Sequence, residues 1–484
     1  MEPPLAKYHE AIAPLDEIEL RLLRSLDSGS LSLPSDHEAI IRHALNLARL
    51  RTLRVRSKAD VYVARDLDPF RRELGDLLGS LFLGPLYKVR KVDGEALKAK
   101  VPYLRQETRR FRDMVLAAHG ALLSPERLDR ECCDKKLVLA LGGGGGAALA
   151  HLGVLLGLEE QGLRPSLIAG TSMGAVIGLF RAMSEQFQPL QMGGLVPADF
   201  DLGKILGRYI GHTHFGLVGV FTLQGYEVAE EIFKRHNGRG IPPISELPIP
   251  LRVVVTGLKQ GIRSKVESAE PRIVSAAPGK NAIWRRMVVS LATSAAELSE
   301  DPSLLDRIVF GADPGTADFD AVDAAGFSAA IPGVIHYDIF REGSRSEQTL
   351  NKMFKERGLF RLCDGGATEN VPARAAWESM QSGTLETRNA FVLACDCFAP
   401  RAARGVVLYP IQHYVRANAS QSLPYANLVL SYAKPPSSFR LLGNFERLER
   451  ITRQAREEFQ GVAGVVARAV APLPSWSELD TGAV

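Results

Sequence analysis

The spacing of apolar residues divides the chain into a helical first part and a mixed second part. Before residue 134, apolar residues recur every three or four positions, a period that predicts amphipathic helices. We expect Ser35 or Asp36 to cap the second of these helices. The predicted helices cover residues 17–26, 37–53, 70–83 and 103–123.

In the second part, short apolar runs are followed by glycine-containing turns and then by helical periodicity. Residues 137–141 predict a buried strand, which is followed by five glycines and a helical pattern over 147–161. Residues 167–169 predict a second strand that leads into another helix, and further buried strands are expected at 251–256 and 391–394. Strands that alternate with helices predict an α/β domain with a mainly parallel sheet.

The end of the chain returns to helical periodicity. Apolar residues at helical spacing cover 445–467, whereas the tail 472–484 is expected to be disordered. The aspartate-rich stretch 306–324 lacks the spacing of a calcium loop and predicts a surface loop. The expected regions are a helical N-terminal region (1–133), an α/β domain (134–435), and a C-terminal helix with its tail (436–484).

Two turns of the α/β domain carry candidate chemistry. The G-x-S-x-G pattern around Ser172 has the form of a nucleophile elbow, a sharp turn that exposes the serine hydroxyl above the sheet. The glycine run of the first turn offers backbone N–H groups that can stabilise an oxyanion. A dinucleotide site would need an acid about 20 residues further on, at the end of a second strand, and none stands there. A P-loop is excluded because G-K-[ST] is missing.

A third motif, Asp364-Gly365-Gly366, stands at a predicted strand end. The glycine run, G-T-S-M-G and D-G-G, in this order, resemble the motifs of the patatin-like phospholipases over roughly residues 136–398. Residues 250–256 and 328–333 add to the resemblance. It implies a three-layer α/β fold and a serine hydrolase that releases fatty acids from a lipid substrate (phospholipid, lysophospholipid or acylglycerol) without a cofactor or metal.

The resemblance also implies a role for each motif residue. Ser172 is the implied nucleophile, and Asp364 is its base in a catalytic dyad. The implied oxyanion-hole residues are Gly143, Gly144, Gly145 and Gly146, and the implied supporting glycines are Gly170, Gly174, Gly365 and Gly366.

The glycine loop departs from the family pattern at two positions. Ala147 replaces the usual basic residue, and Ala148 replaces the last glycine. Alanine keeps its backbone N–H, so an oxyanion hole is still expected, but the lost cation makes a catalytically weak lipid-binding or scaffold protein an alternative. An acyltransferase on the same fold is a further alternative, against which Thr171 argues, because that class usually has a histidine before the serine.

Other side chains compete with Asp364 for the role of base. Asp396 ends the strand predicted at 391–394, but no glycines follow it, so we favour Asp364. His413 is the only histidine after Asp364 and would complete a triad. His151, on the helix after the glycine loop, is expected to be a packing or capping residue.

Composition and charge narrow the partners and the location. A net charge of +4 over 484 residues does not indicate a nucleic-acid partner. No apolar stretch of about 18 residues predicts a membrane span, and no leader peptide is expected. The five cysteines form no plausible disulfide framework, which favours a reducing, cytoplasmic location. Cys395 and Cys397 are expected to be buried. The sequence identifies no protein partner.

One segment of the N-terminal region, residues 41–58, contains six basic residues and no acid. A basic amphipathic helix can lie on an anionic membrane. We favour a solvated helix face, with peripheral membrane contact as the second interpretation. The basic residues are Arg42, Arg49, Arg51, Arg54, Arg56 and Lys58.

Overall fold

The computed structural model describes most of both predicted regions. His413, the alternative member of a triad, lies outside the described residues, as do Arg56 and Lys58 of the basic segment. The described residues are 4–54, 60–83, 92–186, 205–208, 213–274, 301–397, 418–432 and 445–481.

The N-terminal region folds into helices and a short antiparallel hairpin that share an apolar core. The second helix begins directly after Pro34 without a side-chain cap, so the prediction of a cap at Ser35 or Asp36 is wrong. This helix ends at Ala48 because Leu53 pairs with Val61 in the hairpin. The elements are α1 (Leu5–Asp27), α2 (Ser35–Ala48), β1 (Thr52–Arg54), β2 (Asp60–Tyr62), α3 (Ala64–Phe82), α4 (Gly94–His119) and α5 (Pro125–Cys133).

The central domain is built on a seven-stranded sheet, and a second sheet holds three short strands. The strands of the large sheet are β3 (Lys136–Leu141), β4 (Leu167–Thr171), β7 (Leu251–Lys259), β8 (Leu305–Phe310), β10 (Leu359–Asp364), β11 (Ala390–Asp396) and β12 (Leu428–Ser431). Those of the small sheet are β5 (Leu206–Arg208), β6 (Gly219–Leu223) and β9 (Gly333–His336).

Helices follow most of these strands. Within the domain they are α6 (His151–Glu160), α7 (Met173–Ala182), α8 (Tyr226–Asn237), α9 (Arg263–Val274), α10 (Ala321–Ser328), α11 (Arg345–Arg357) and α12 (Ala373–Gln381). After the last strand come α13 (Phe445–Val470) and α14 (Trp476–Thr481).

The large sheet is mainly parallel and is covered on both faces. Strands β12, β11, β3, β4 and β7 run parallel in this order, whereas β8 and β10 pair antiparallel with β7. Successive residues of a strand point to opposite faces. In β3, Leu137, Leu139 and Leu141 accordingly join one apolar core, with α6 and α7, while Val138 and Ala140 join another, with α12. The expected three-layer α/β fold is confirmed.

Two stretches predicted to be irregular are ordered. The aspartate-rich stretch begins on β8 and ends in α10, and Asp323 is fully buried, where it accepts hydrogen bonds from Tyr337 Oη at 2.6 Å and from Arg341. The surface-loop prediction is therefore wrong for both ends of the stretch. The prediction of a disordered tail is wrong for its described residues, 472–481, because Trp476 and Leu479 of α14 are buried in the N-terminal core.

The basic segment does not form the expected solvated helix face. Arg42 is 2% exposed and lies between Glu19 and Glu38, and Arg49 binds Asp16 and Glu19 at 2.5 and 2.6 Å. The charges of these two arginines are thus neutralised inside the protein. Neither guanidinium faces outward, as membrane contact through this helix would require.

Helix α13 ties the C-terminal part to the domain. It packs along α6 so closely that a Cβ at Gly153 would lie 2.2 Å from the Thr452 carbonyl oxygen, and one at Gly157 would lie 2.5 Å from the Phe459 ring. Helix α1 contributes residues to both faces of the sheet and to the N-terminal core. The division at 133/134 and 435/436 stays a prediction. Among the described residues, no helix has the length and apolarity needed to cross a bilayer.

Candidate active site

Ser172 and Asp364 are brought together by the pairing of two strands with β7. Thr171, the last residue of β4, pairs with Val254, and Asp364, the last residue of β10, pairs with the next residue, Val255. Because β4 runs parallel to β7 and β10 runs antiparallel to it, the two strands end facing each other. Ser172, which follows β4, and Asp364, which ends β10, are therefore neighbours, although 192 positions (364 − 172) separate them in sequence.

The turn after β4 has the backbone of a nucleophile elbow. Ser172 has φ 55° and is the only non-glycine residue with positive φ in the described part of the chain. A Cβ at Gly170 would lie 2.5 Å from Ala175 Cα, and one at Gly174 would lie 2.2 Å from the Leu141 carbonyl oxygen. Glycine is therefore required on both sides of the serine, since strand and helix approach too closely for a side chain.

Ser328, the last residue of α10, supports the backbone of the elbow through hydrogen bonds. The Ser172 N–H donates to Ser328 Oγ at 2.8 Å, and Ser328 Oγ donates to the Val254 carbonyl oxygen at 2.7 Å. The Thr171 hydroxyl donates to the Glu369 carbonyl oxygen at 2.9 Å. Sequence reasoning predicted none of these three hydrogen bonds; for Ser328 the only signal was the resemblance of residues 328–333 to a family segment.

The carboxylate of Asp364 is buried and hydrogen-bonded. It accepts the Gly366 N–H at 2.7 Å. Burial raises the pKa of Asp364 to about 6, and the interactions of the carboxylate with the Ser172 side chain and the Gly366 N–H limit the rise. A Cβ at Gly365 would lie 2.1 Å from the Val254 carbonyl oxygen, which explains why glycine follows the aspartate.

The glycine loop lies at the carboxyl end of β3, beside the elbow. The Gly142 N–H donates to the Cys395 carbonyl oxygen at 3.0 Å, and the Gly143 N–H donates to the Asn370 carbonyl oxygen at 2.9 Å. Gly145 has φ 54°, and a 3₁₀ helix runs over Gly145–Ala150 into α6. The N–H of Gly143 therefore already has a partner, which leaves Gly144, Gly145 and Gly146 as the candidate donors of the loop.

His151 supports the glycine loop. Its Nε2 lies 2.8 Å from the Gly142 carbonyl oxygen, and its Nδ1 lies 3.0 Å from the Tyr432 hydroxyl. Burial lowers the pKa of His151 to about 4, so the imidazole is neutral at pH 7. A neutral ring has one donor and one acceptor nitrogen, and both are used here. The expected packing role is confirmed.

The competing acid lies further from the elbow. Asp396 ends β11, which is separated from β4 by β3, so that it stands two strand spacings, roughly 10 Å, from the elbow's strand. Cys395 and Cys397 are fully buried, as expected. Ala147 and Ala148 are also fully buried, so a basic side chain at 147 would have to enter the core.

The fold and the elbow define an α/β protein with a serine at a strained strand-to-helix turn. A family model described as patatin-like phospholipase matches residues 139–377, a range that includes the glycine loop, the elbow and the D-G-G turn. The chain therefore carries a domain of the patatin-like phospholipase family, as the sequence motifs implied.

Curated relatives match over shorter stretches. Lysophospholipase NTE1 of Pyricularia oryzae is 32% identical over 156 residues, which cover 30% of this chain and 10% of that protein. The same-named protein of Coccidioides immitis is 30% identical over 154 residues, 30% of this chain and 9% of that protein. The same-named protein of Kluyveromyces lactis is 39% identical over 82 residues, which cover 17% of this chain and 5% of that protein. The matched part spans at most about a tenth of these relatives.

Proposed function

We propose that this chain is a serine lipid acyl hydrolase that works through a Ser172–Asp364 dyad. The observation that carries the proposal is the juxtaposition of Ser172, on a nucleophile elbow beside the glycine loop, with the buried carboxylate of Asp364 across the paired ends of β4 and β10. The family supports a lipid ester as substrate. Because the relatives are lysophospholipases, we favour a lysophospholipid within the proposed class of phospholipids, lysophospholipids and acylglycerols.

In the proposed acylation step, Asp364 takes the proton of Ser172 while the serine oxygen attacks the ester carbonyl carbon. The carbonyl oxygen becomes negatively charged, and the amides of Gly144, Gly145 and Gly146 stabilise it. When the intermediate collapses, the ester C–O bond breaks and Asp364 returns the proton to the leaving alcohol. Water then attacks the acyl carbon while Asp364 takes its proton; the bond between the acyl carbon and Ser172 Oγ breaks, Asp364 returns the proton to Ser172 Oγ, and the fatty acid is released.

The electrostatics of Asp364 suit this role. A carboxylate with an ordinary pKa of about 3.9 is a weak base at neutral pH. Burial raises the pKa of Asp364 to about 6, which strengthens the base while most of it stays ionised at pH 7. The nearby imidazole of His151 is committed to the glycine loop, so the described residues offer Asp364 as the base in contact with Ser172.

Fatty-acid release from phospholipid, lysophospholipid and acylglycerol vesicles or micelles tests the proposal. We expect release by the wild type and loss of about 10³-fold or more in Ser172→Ala and in Asp364→Asn, with folding retained. Asp396→Asn is the matched control and is expected to keep its activity. Release that survives Asp364→Asn but is lost in His413→Ala would replace the dyad by a triad.

Two other outcomes would support the alternative functions. Transfer of the acyl group from Ser172 to a thiol or alcohol acceptor, in preference to water, would indicate an acyltransferase. Binding of the same lipids by wild type and Ser172→Ala without release from either would indicate a lipid-binding or scaffold protein with a degenerate loop, in which Ala147 replaces the cation. Cytoplasmic location with peripheral membrane contact stays a prediction from the sequence.

A further inference from the structure

Asn370 stands six residues after Asp364 and has an unusual hydrogen-bonding state. The residue is 6% exposed, and its carbonyl oxygen accepts the N–H of Gly143. Its side-chain Nδ2, by contrast, has no hydrogen-bond partner among the described residues. Buried polar groups are almost always paired, because an unpaired donor has lost water without gaining a protein partner. Beside a reactive serine, such a donor is available to an incoming acyl group.

The neighbours of this amide are the reacting groups. A Cβ at Gly143 would lie 2.7 Å from Asn370 Oδ1 and 3.0 Å from Ser172 Cβ. A Cβ at Gly366 would lie 3.0 Å from Asn370 Oδ1 and 2.9 Å from Asp364 Oδ1. The amide group thus lies between the glycine loop and the D-G-G turn, beside both members of the dyad. Ser172 and Asn370 are each 6% exposed.

The direction of charge movement decides which atom the free N–H serves. In the acylation step, Asp364 loses its negative charge and the carbonyl oxygen of the substrate gains one. A donor aimed at Asp364 would stabilise the ionised carboxylate and weaken the base. A donor that stays unpaired at rest and pairs with the new charge instead favours the transition state over the ground state, which is the condition for rate enhancement.

We propose that the side-chain amide of Asn370 donates a hydrogen bond to the oxyanion, beside the amides of Gly144, Gly145 and Gly146. The inference rests on the proposed acyl hydrolase function and adds a catalytic side chain to it. Asn370 thereby serves the oxyanion hole twice, since its carbonyl oxygen also holds Gly143 in place.

The test is Asn370→Leu, which keeps the main-chain carbonyl and the branched shape of the side chain but removes the donor. We expect kcat for fatty-acid release from lysophosphatidylcholine to fall about 10²- to 10³-fold with little change in KM. Inhibition by a long-chain trifluoromethyl ketone, which forms a tetrahedral adduct with the serine, should weaken by a similar factor. Binding of the product fatty acid and the Tm should stay unchanged, or the Tm should rise.

Asn418→Leu is the matched control, because the Asn418 Nδ2 donates to the Ala367 carbonyl oxygen at 2.6 Å in the same turn. It should lower the Tm and leave the ketone inhibition constant near the wild-type value. If Asn370→Leu does not fold, Asn370→Asp, whose side chain has the same size, is tested instead by kcat for fatty-acid release and by ketone inhibition.

Two results would overturn the inference. One is a near wild-type kcat in Asn370→Leu; the other is a lower kcat with unchanged ketone inhibition, which would indicate a positioning role. The failure of the proposed function is recognised separately, because Ser172→Ala would then release fatty acid as fast as the wild type.

Discussion

At the scale of single residues, the proposed dyad makes catalysis depend on pH through the carboxyl group of Asp364. Only the ionised form can accept the proton of Ser172, and burial raises its pKa to about 6. We therefore expect kcat/KM for ester hydrolysis to fall about tenfold for each pH step of one below about 6 and to level off above it. A pH profile measured with a soluble short-chain ester checks this. A limb that levels off only above about pH 7.5 would point to a different base.

The same rise in the pKa of Asp364 means that its ionised carboxylate lowers the free energy of unfolding at neutral pH. In the unfolded chain its pKa is about 3.9, so between about pH 4 and 6 the folded state binds the proton more tightly, and stability falls as the pH rises through this window. Asp364→Asn should therefore be more stable than the wild type by on the order of 2 kcal/mol at pH 8, with the difference lost below about pH 4. Urea unfolding at both pH values measures it; a destabilised variant at pH 8 would contradict it.

The backbone conformation of Ser172 is a second feature of the candidate site that is expected to lower the stability of the fold. A non-glycine residue with φ 55° and ψ −132° carries strain of roughly 1–3 kcal/mol. Ser172→Gly should relieve it and unfold at a higher temperature than Ser172→Ala, while both variants are inactive. Differential scanning calorimetry of the pair measures the effect, with Ser166→Gly against Ser166→Ala as the control at an ordinary backbone position. Equal Tm values for the two Ser172 variants would refute the strain argument.

The sequence predicted the residues whose signal is local and missed those whose partners are distant. Ser172 and Asp364 each stand in a short pattern with glycines that the backbone requires, so the patterns could be read directly. Ser328 supports Ser172 from 156 positions further along the chain, and the side chain of Asn370 is distinguished only by having no partner. No local pattern contains either fact.

At the scale of elements, α1 is joined to the rest of the chain by a buried ion network around Glu19. Glu19 is 2% exposed, lies 2.6 Å from both Arg49, just after α2, and Lys135, just before β3, and is also near Arg42. Burial alone would raise the pKa of Glu19, but Arg49 and Lys135 lower it below its ordinary value. Its stabilising contribution is therefore present above about pH 4.5 and is lost as the pH falls further.

Removing this one charge should weaken the whole network. We expect Glu19→Gln to lower the free energy of unfolding by about 3–5 kcal/mol, because it leaves buried cations without their shared partner. Glu17→Gln is the control, since Glu17 forms an exposed pair with Arg21 and should cost less than about 1 kcal/mol. Urea unfolding at pH 7 compares the two. A similar, small cost for both variants would mean that the buried network contributes no net stability.

The boundaries of helices and strands could be predicted where the apolar periodicity is strong. The predictions were wrong where strand pairing, which the sequence does not show, determines the structure. The strands β3, β4, β7 and β11 and the helix α13 follow from apolar spacing, whereas α1 and α4 begin at Leu5 and Gly94, before their predicted starts at 17 and 103. The helix predicted over 37–53 is too long, because the three-residue strand β1 is too short to show a pattern of its own in the sequence. Strand β8 begins with Leu305-Asp306-Arg307, and its polar residues resembled a loop because Asp306 and Arg307 have ion-pair partners that only the fold supplies.

At the scale of the whole molecule, the last described residues complete the core of the first ones. Trp476 is 4% exposed in the N-terminal core, and the Leu473 N–H donates to the Cys133 carbonyl oxygen at 3.1 Å. The guanidinium of Arg42 donates to the Ala469 carbonyl oxygen at 2.8 Å. Helix α14 thus packs on the N-terminal helices. The preceding helix α13 packs on α6, the helix that follows the glycine loop.

This arrangement predicts different effects of cutting or loosening the chain end. Removal of residues 472–484 should destabilise the N-terminal helices and leave the dyad intact, because α13 remains on α6. We expect faster amide hydrogen exchange in α2 and α4, and unchanged labelling of Ser172 by a fluorophosphonate. Trp476→Ala should reproduce the exchange effect alone, with a cost of about 3–5 kcal/mol, since it empties a buried aromatic site. If labelling of Ser172 fell together with N-terminal protection, the two cores would be one cooperative unit, and the boundary at 133/134 would not mark a domain.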